Sequence, residues 1–231
     1  MTRLYLVRHG QASFGAGPYD RLSPLGERQS LLLGQHLQRI GLRADAWLSG
    51  TLDRQRSTLA GMLQGLEAPP STEALASFNE YDHEAILSAY LPRVMKEMGF
   101  APDQLNVLFT DNRQFQAAFV RVMRHWMDGA PHERAPFETW EAFQARLGES
   151  LEQLTRSHHE RIVVVTSGGP IALAVQVALG LTPEKTFALN WAIYNASLTE
   201  LRARRGTLML SSFNTVAHLE LAGDPSLLTY R

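Results

Sequence analysis

The 231 residues are 45% hydrophobic and 19% charged, enough to bury a core without cross-links, and they include no cysteine, which excludes disulfides, thiol nucleophiles and Cys-based metal sites. Twenty-two Lys and Arg against 23 Asp and Glu leave a formal charge of −1, which argues against a nucleic-acid partner but leaves room for a focused cationic pocket. No run approaches the ~20 apolar residues of a membrane helix, and Arg8 interrupts the first apolar stretch, so no signal segment and no membrane partner are expected and the cytoplasm is the expected location.

In chain order, Leu4 to Val7 predict a short buried strand that delivers Arg8, His9 and Gly10 at its C-terminal end. A loop with Gly15, Gly17, Pro18 and Asp20 comes next. Ser23-Pro24-Leu25-Gly26-Glu27 predicts a helix start, with Ser23 as N-cap, Pro24 in the first turn and Leu31, Leu32, Leu33 and Leu37 as the apolar stripe. Ala44 to Leu48 predicts a second strand. Thr51 to about Leu66 predicts a second helix closed by Pro69-Pro70, and Glu73 to Ala76 a third strand.

From about residue 82 to 136 the alternation breaks, which predicts a helical insertion that caps a site on the sheet. Its stripe of Phe115, Phe119, Val122, Met123 and Trp126 reads as core. Glu138 to His158 predicts another helix. Arg161 to Ser167 is the clearest strand, and Gly168-Gly169-Pro170 turns it into a helix over Ile171 to Leu179. Ala196 to Arg202 and Thr207 to Phe213 predict a hairpin whose turn carries solvated arginines. This order predicts one domain over residues 1–231: a three-layer α/β/α sandwich with a mostly parallel sheet and the helical insertion.

Ligands of open α/β sheets collect at the carboxyl ends of strands. There the chain supplies Arg8, His9 and Gly10, then Arg54, then Glu80, then Ser167 and Gly168. Guanidiniums match phosphate geometry, and amides at a helix start form an anion site, so the set describes a phosphate pocket with a nucleophile and a proton donor. Asp82 and Glu84 rival Glu80 as the acid, and Arg56 stands beside Arg54 as a second cation. Ser167 also stands where a helix N-cap belongs.

The stretches Leu6-Val7-Arg8-His9-Gly10, Ser49 to Thr58, Phe78-Asn79-Glu80 and Val164 to Ile171 resemble, in order, the motifs of the histidine phosphatase superfamily, which includes the phosphoglycerate mutase-like proteins. The resemblance implies a histidine-type acid phosphatase or phosphoryl transferase that needs no cofactor and no metal. In it His9 is the nucleophile, Arg8 and Arg54 stabilise the phosphoryl group, and Glu80 is the acid. Gln11, Ser13, Ser167 and Gly168 bind substrate. At position 167 the family usually carries a second histidine, where this chain has Ser167. His83 and His218 are candidates to substitute for it. A non-catalytic phosphate sensor, a phosphoglycerate mutase-type transferase and a serine hydrolase using Ser167 with His218 are the alternatives. The implied partner is a small phosphorylated substrate or phosphate ion, or else a phosphoprotein. Phe14, Tyr19, Tyr81 and Trp126 are expected walls.

Overall fold

A computed structural model describes residues 1–13, 20–67, 70–132, 137–204 and 206–230. These divide into two compact units, Met1–Glu80 with Arg146–Arg231, and Tyr81–Ala145.

The first unit is built on a mixed sheet of six strands among the described residues, in the order β3-β2-β4-β1-β5-β6. The strands are Thr2–Arg8 (β1), Ala46–Ser49 (β2), Thr72–Ala74 (β3), Arg161–Thr166 (β4), Leu198–Arg204 (β5) and Thr207–Thr215 (β6). β3, β2, β4 and β1 run parallel, while β5 and β6 form an antiparallel hairpin against β1. The parallel register sets Arg8 opposite Thr166 and Ser49 opposite Val165, so three strand ends share one edge.

Both faces of β1 and β4 are covered, which explains their unbroken apolar sequence. On one face, Tyr5, Val7, Trp47, Val163 and Val165 pack with Leu33 and Leu37 of Pro24–Arg39 (α1) and Leu59 and Met62 of Asp53–Gln64 (α2). Each such buried Leu is worth about 2 kcal/mol relative to an exposed one. On the other face, Gly168–Leu179 (α7) lies against β1 and β6 and is buried from Gly168 to Val175. Pro183–Ala192 (α8) packs on α7, and Ala217–Glu220 (α9) on α1. The mixed sheet flanked by helices is the expected fold class.

Several elements depart from expectation, β2, β3, β6 and the helix Trp140–Arg156 by about two residues at an end. Gly168-Gly169-Pro170 is the first turn of α7 and not a connection, because a proline among the first amides of a helix forfeits no hydrogen bond. α8 went unpredicted, although Thr182 accepts from the Lys185 amide as an N-cap and Pro183 opens the helix. β5 starts two residues later than expected, after Ala196 at φ +53°. Pro69, Pro136 and Arg205 lie outside the described residues.

The second unit holds His83–Glu97 (α3), Leu105–Thr110 (α4), Asn112–Met127 (α5) and the first residues of Trp140–Arg156 (α6). Val122, Met123 and Trp126 are buried, as the stripe predicted. Tyr81 and Trp126 pack at 4.9 Å, with Trp140 and Phe143 beside them. At 7% and 2% exposed they serve this aromatic core. Phe14 and Tyr19 lie outside the described residues.

α1 and α2 meet backbone to backbone. A Cβ on Gly34 would overlap the Met62 carbonyl. Alanine ordinarily gains about 1 kcal/mol over glycine inside a helix, but here overpacking outweighs that gain. Gly34→Ala is expected to cost at least ~2 kcal/mol in urea unfolding. Gly148→Ala in α6, where a Cβ meets nothing, is expected to gain about 0.5–1 kcal/mol.

Candidate active site

His9 directly succeeds β1, and its backbone N–H extends the parallel ladder by donating to the Thr166 carbonyl at 2.9 Å. The ring is 5% exposed. Nδ1 lies 2.8 Å from the Gly10 carbonyl and Nε2 lies 3.2 Å from Arg54 Nε. A carbonyl only accepts and a guanidinium only donates, so the hydrogen-bond network assigns the proton to Nδ1 and the lone pair to Nε2. Burial, then Arg54, then Arg8 hold the imidazole well below its ordinary value. His9 is therefore neutral, with the Nε2 lone pair turned toward a cation.

Arg54 sits in the first turn of α2 and is 6% exposed. Its Nη1 pairs with Asp20 Oδ1 at 2.7 Å while Nε faces His9, so the carboxylate aims the guanidinium. Asp20 Oδ2 also accepts from the Asp53 amide at 2.9 Å, satisfying an α2 terminus whose N-cap residue, Leu52, has no polar side chain. Arg56, the rival cation, is exposed. Arg8 donates through Nη1 to the Ile193 carbonyl.

Glu80 reaches the same edge from after β3. Its Oε2 accepts from the Gly169 amide at 3.0 Å, so this carboxyl group occupies the start of α7. The segment before it is fastened twice. Asn79 exchanges hydrogen bonds with Thr51, both at 2.7 Å, and Arg146 donates to the Ser77 carbonyl at 2.6 Å. Ser167 is fully buried at the N-cap of α7, yet its side chain makes no capping bond; it accepts from Gln55 Nε2 at 2.9 Å.

His9, Arg8 and Arg54 are thus brought together, and Glu80, Ser167 and Gly168 meet at the start of α7. Gln11 and Ser13 are engaged elsewhere: Gln11 Oε1 accepts from Ser23 at 2.8 Å, and Ser13 donates to the Leu22 carbonyl at 3.0 Å. His218 stands beside His36 of α1, ring centroids 5.8 Å apart. Among the described residues no histidine hydrogen-bonds Ser167, whose hydroxyl accepts from Gln55. No trio of His, Asp or Glu among the described residues comes together to hold a metal ion, and no helix of theirs is long and apolar enough to cross a membrane.

Sequence reasoning missed Asp20, Gln29, Gln55, Thr58 and Asn195. Two of them carried a signal. Gln29 shares a stripe with Leu33 and Leu37, and Gln55 one with Leu59 and Met62; a polar side chain on a buried stripe must have a specific partner.

Against known proteins, the model of the histidine phosphatase superfamily (branch 1) matches residues 4–89 and 93–216. A Hydrogenobacter thermophilus protein named "putative phosphoserine phosphatase 2" is 25% identical over 228 residues, 94% of this chain and 98% of that one. Among solved structures, phosphoglycerate mutase from Bacillus anthracis matches with a TM-score of 0.64 at 18% identity, covering 96% of this chain and 97% of that one. A mutant phosphoserine phosphatase from Entamoeba histolytica in complex with phosphoserine matches with a TM-score of 0.60 at 20% identity, covering 95% of this chain and all of that one.

Burial, with His36 as a second cause, pushes His218 down to about 4. His9 is also held low. Unfolded imidazoles protonate near ~6.5, so below that pH the unfolded chain binds more protons than the folded one. Stability is full above that pH and is lost as pH falls toward about 4. His218→Gln is expected to remove up to ~3 kcal/mol of that pH dependence. Urea titrations of both proteins at neutral and mildly acidic pH check it, and parallel profiles would contradict it.

Proposed function

Because this chain belongs to branch 1 of the histidine phosphatase superfamily, we propose that it is a phosphomonoester phosphatase that works through a phosphohistidine on His9. The observation that carries this reading is the buried neutral imidazole whose Nε2 lone pair faces Arg54 at 3.2 Å. An incoming phosphoryl group takes the place between them: Nε2 approaches phosphorus while the Arg54 N–H shifts to an equatorial oxygen. Arg8, the second cation beside the ring, adds to that stabilisation.

In the first step the Nε2–P bond forms and the bond from phosphorus to the ester oxygen breaks. Glu80 gives its proton to the departing alcohol. In the second step Glu80 takes a proton from water, whose oxygen attacks phosphorus, and the N–P bond breaks to release phosphate. Only side chains of this chain take part. Ser167 is the hydroxyl that stands where the family usually carries its second histidine. One lost transition-state donor costs roughly 10²–10³ in rate in other enzymes, so turnover is modest.

That same residue favours a second reading, a phosphate-ligand sensor that keeps the pocket without useful turnover. The mutase reading differs from the phosphatase reading in the fate of the phosphohistidine, which passes to a second alcohol and not to water. Phosphoserine and phosphoglycerate are the first compounds to screen, since the relatives are named for them.

Incubation with radiolabelled aryl phosphate and an alkaline quench is expected to leave an acid-labile phosphoryl group on the protein, absent from His9→Ala. Equal background hydrolysis by both proteins would favour the sensor. Glu80→Gln is expected to slow alkyl phosphates by about 100-fold and activated aryl phosphates far less. An equal loss on both classes would remove Glu80 from the acid's role.

A further inference from the structure

Two polar side chains that the phosphatase reaction does not use bond the backbone of residues 9–11, and a third links them. Gln29, on α1 and fully buried, accepts the Gln11 N–H on Oε1 at 2.8 Å. Its Nε2 donates to the Leu227 carbonyl at 2.8 Å and to Thr229 Oγ1 at 2.9 Å. The Thr229 hydroxyl donates its one proton to Asn195 Oδ1 at 2.9 Å. Asn195, also fully buried, donates through Nδ2 to the His9 carbonyl at 3.2 Å. The circuit closes on the residue it started beside.

Its effect is on two peptide groups. The 9–10 peptide has its carbonyl held by Asn195 Nδ2 and the Ala196 amide, and its N–H held by Thr58 Oγ1 at 2.9 Å. The 10–11 peptide has its carbonyl against His9 Nδ1 and its N–H on Gln29. The second group is the one that decides which ring nitrogen of His9 carries the proton. A peptide whose N–H is bonded is a stronger acceptor at its carbonyl, so Gln29 reinforces that choice.

Thr229 fixes the sense of the circuit. Because its hydroxyl accepts from Gln29, it must donate to Asn195, which turns Oδ1 toward Thr229 and Nδ2 toward His9. Without that hydroxyl the Asn195 amide loses the partner that sets its orientation, and a flipped amide would set oxygen against oxygen. Ala196, a non-glycine residue at φ +53°, supplies the second donor to the His9 carbonyl. Such a conformation is strained and survives where the surroundings over-determine it. The 225–230 segment is itself anchored: Leu227 packs with Val216 and Leu219, and Tyr230 stacks on Tyr194 at 4.1 Å.

We propose that Gln29, Asn195 and Thr229 are positioning residues that hold His9 in its Nδ1–H tautomer, so that residues 227–229 belong to the catalytic apparatus. This rests on the reading of His9 as nucleophile.

Thr229→Val keeps the shape and removes both hydrogen-bonding roles, and Thr229→Ser restores them. Thr229 is half-buried, so the variants are expected to fold, and Thr229→Ala repeats the deletion should the valine not. The expectation for Thr229→Val is a fall in kcat of about 10-fold with KM within about 2-fold, and recovery in Thr229→Ser. In nitrogen NMR of the His9 ring, Thr229→Val is expected to shift the signals away from a single Nδ1–H form, and Thr229→Ser to return them. A folded Thr229→Val with unchanged ring signals overturns the proposal, whatever its rate. So does a loss that serine does not recover. Should the wild-type protein show no turnover, the phosphatase reading fails, and the ring signals alone still decide this one.

Discussion

A neutral imidazole held out of water beside a guanidinium is the arrangement on which the rest of this molecule turns. A second positive charge at His9 would meet Arg54 across 3.2 Å. Two like charges ~4 Å apart at an effective dielectric of 20 repel by about 4 kcal/mol, before any cost of burying the new charge. The proton is therefore kept off Nε2, and a basic lone pair faces a donor suited to phosphate. Neither group would act this way alone. Asp20 keeps them together by taking one arm of the guanidinium and the first amide of α2.

The sheet provides the meeting place. Parallel pairing of β1 with β4 and of β4 with β2 brings the ends of those strands to one edge in matched register. The residue beyond each strand is then placed by a backbone hydrogen bond: His9 on Thr166, Gly50 on Val165 and Leu75 on Ser49. Glu80 arrives last and is tied to Gly169, so His9 and Glu80 share one frame.

Much of this was legible in the sequence. The apolar runs at Leu4 to Val7 and Ile162 to Val165 announced strands buried on both faces, and Ser23-Pro24 announced a helix that begins where expected. The strand-end rule collected Arg8, His9, Arg54, Glu80 and Ser167 without any coordinates. Of the residues that escaped, Gln29 and Gln55 stand on buried stripes. Asp20, Thr58 and Asn195 act through contacts 34 to 186 residues apart in the chain, and nothing in their local sequence distinguishes them from ordinary loop or helix polar residues. Gln11 and Ser13, which local reading favoured, also hold the segment before α1. Tyr81 and Trp126 pack on one another in the second unit, because an aromatic side chain offers the same apolar face to a core as to a substrate.

The close approach of α1 to α2 bears on how this chain tolerates variation. Most cores absorb substitutions by repacking side chains, but where Gly34 meets the Met62 carbonyl there is no side chain to repack. Gly26 makes the same kind of contact with Gln11, two residues beyond His9. Mutational drift over much of the surface leaves the edge that carries His9 undisturbed, whereas a single methyl group along this seam is transmitted through rigid peptide units straight to it. An engineer diversifying the scaffold would hold these glycines as fixed as the histidine itself.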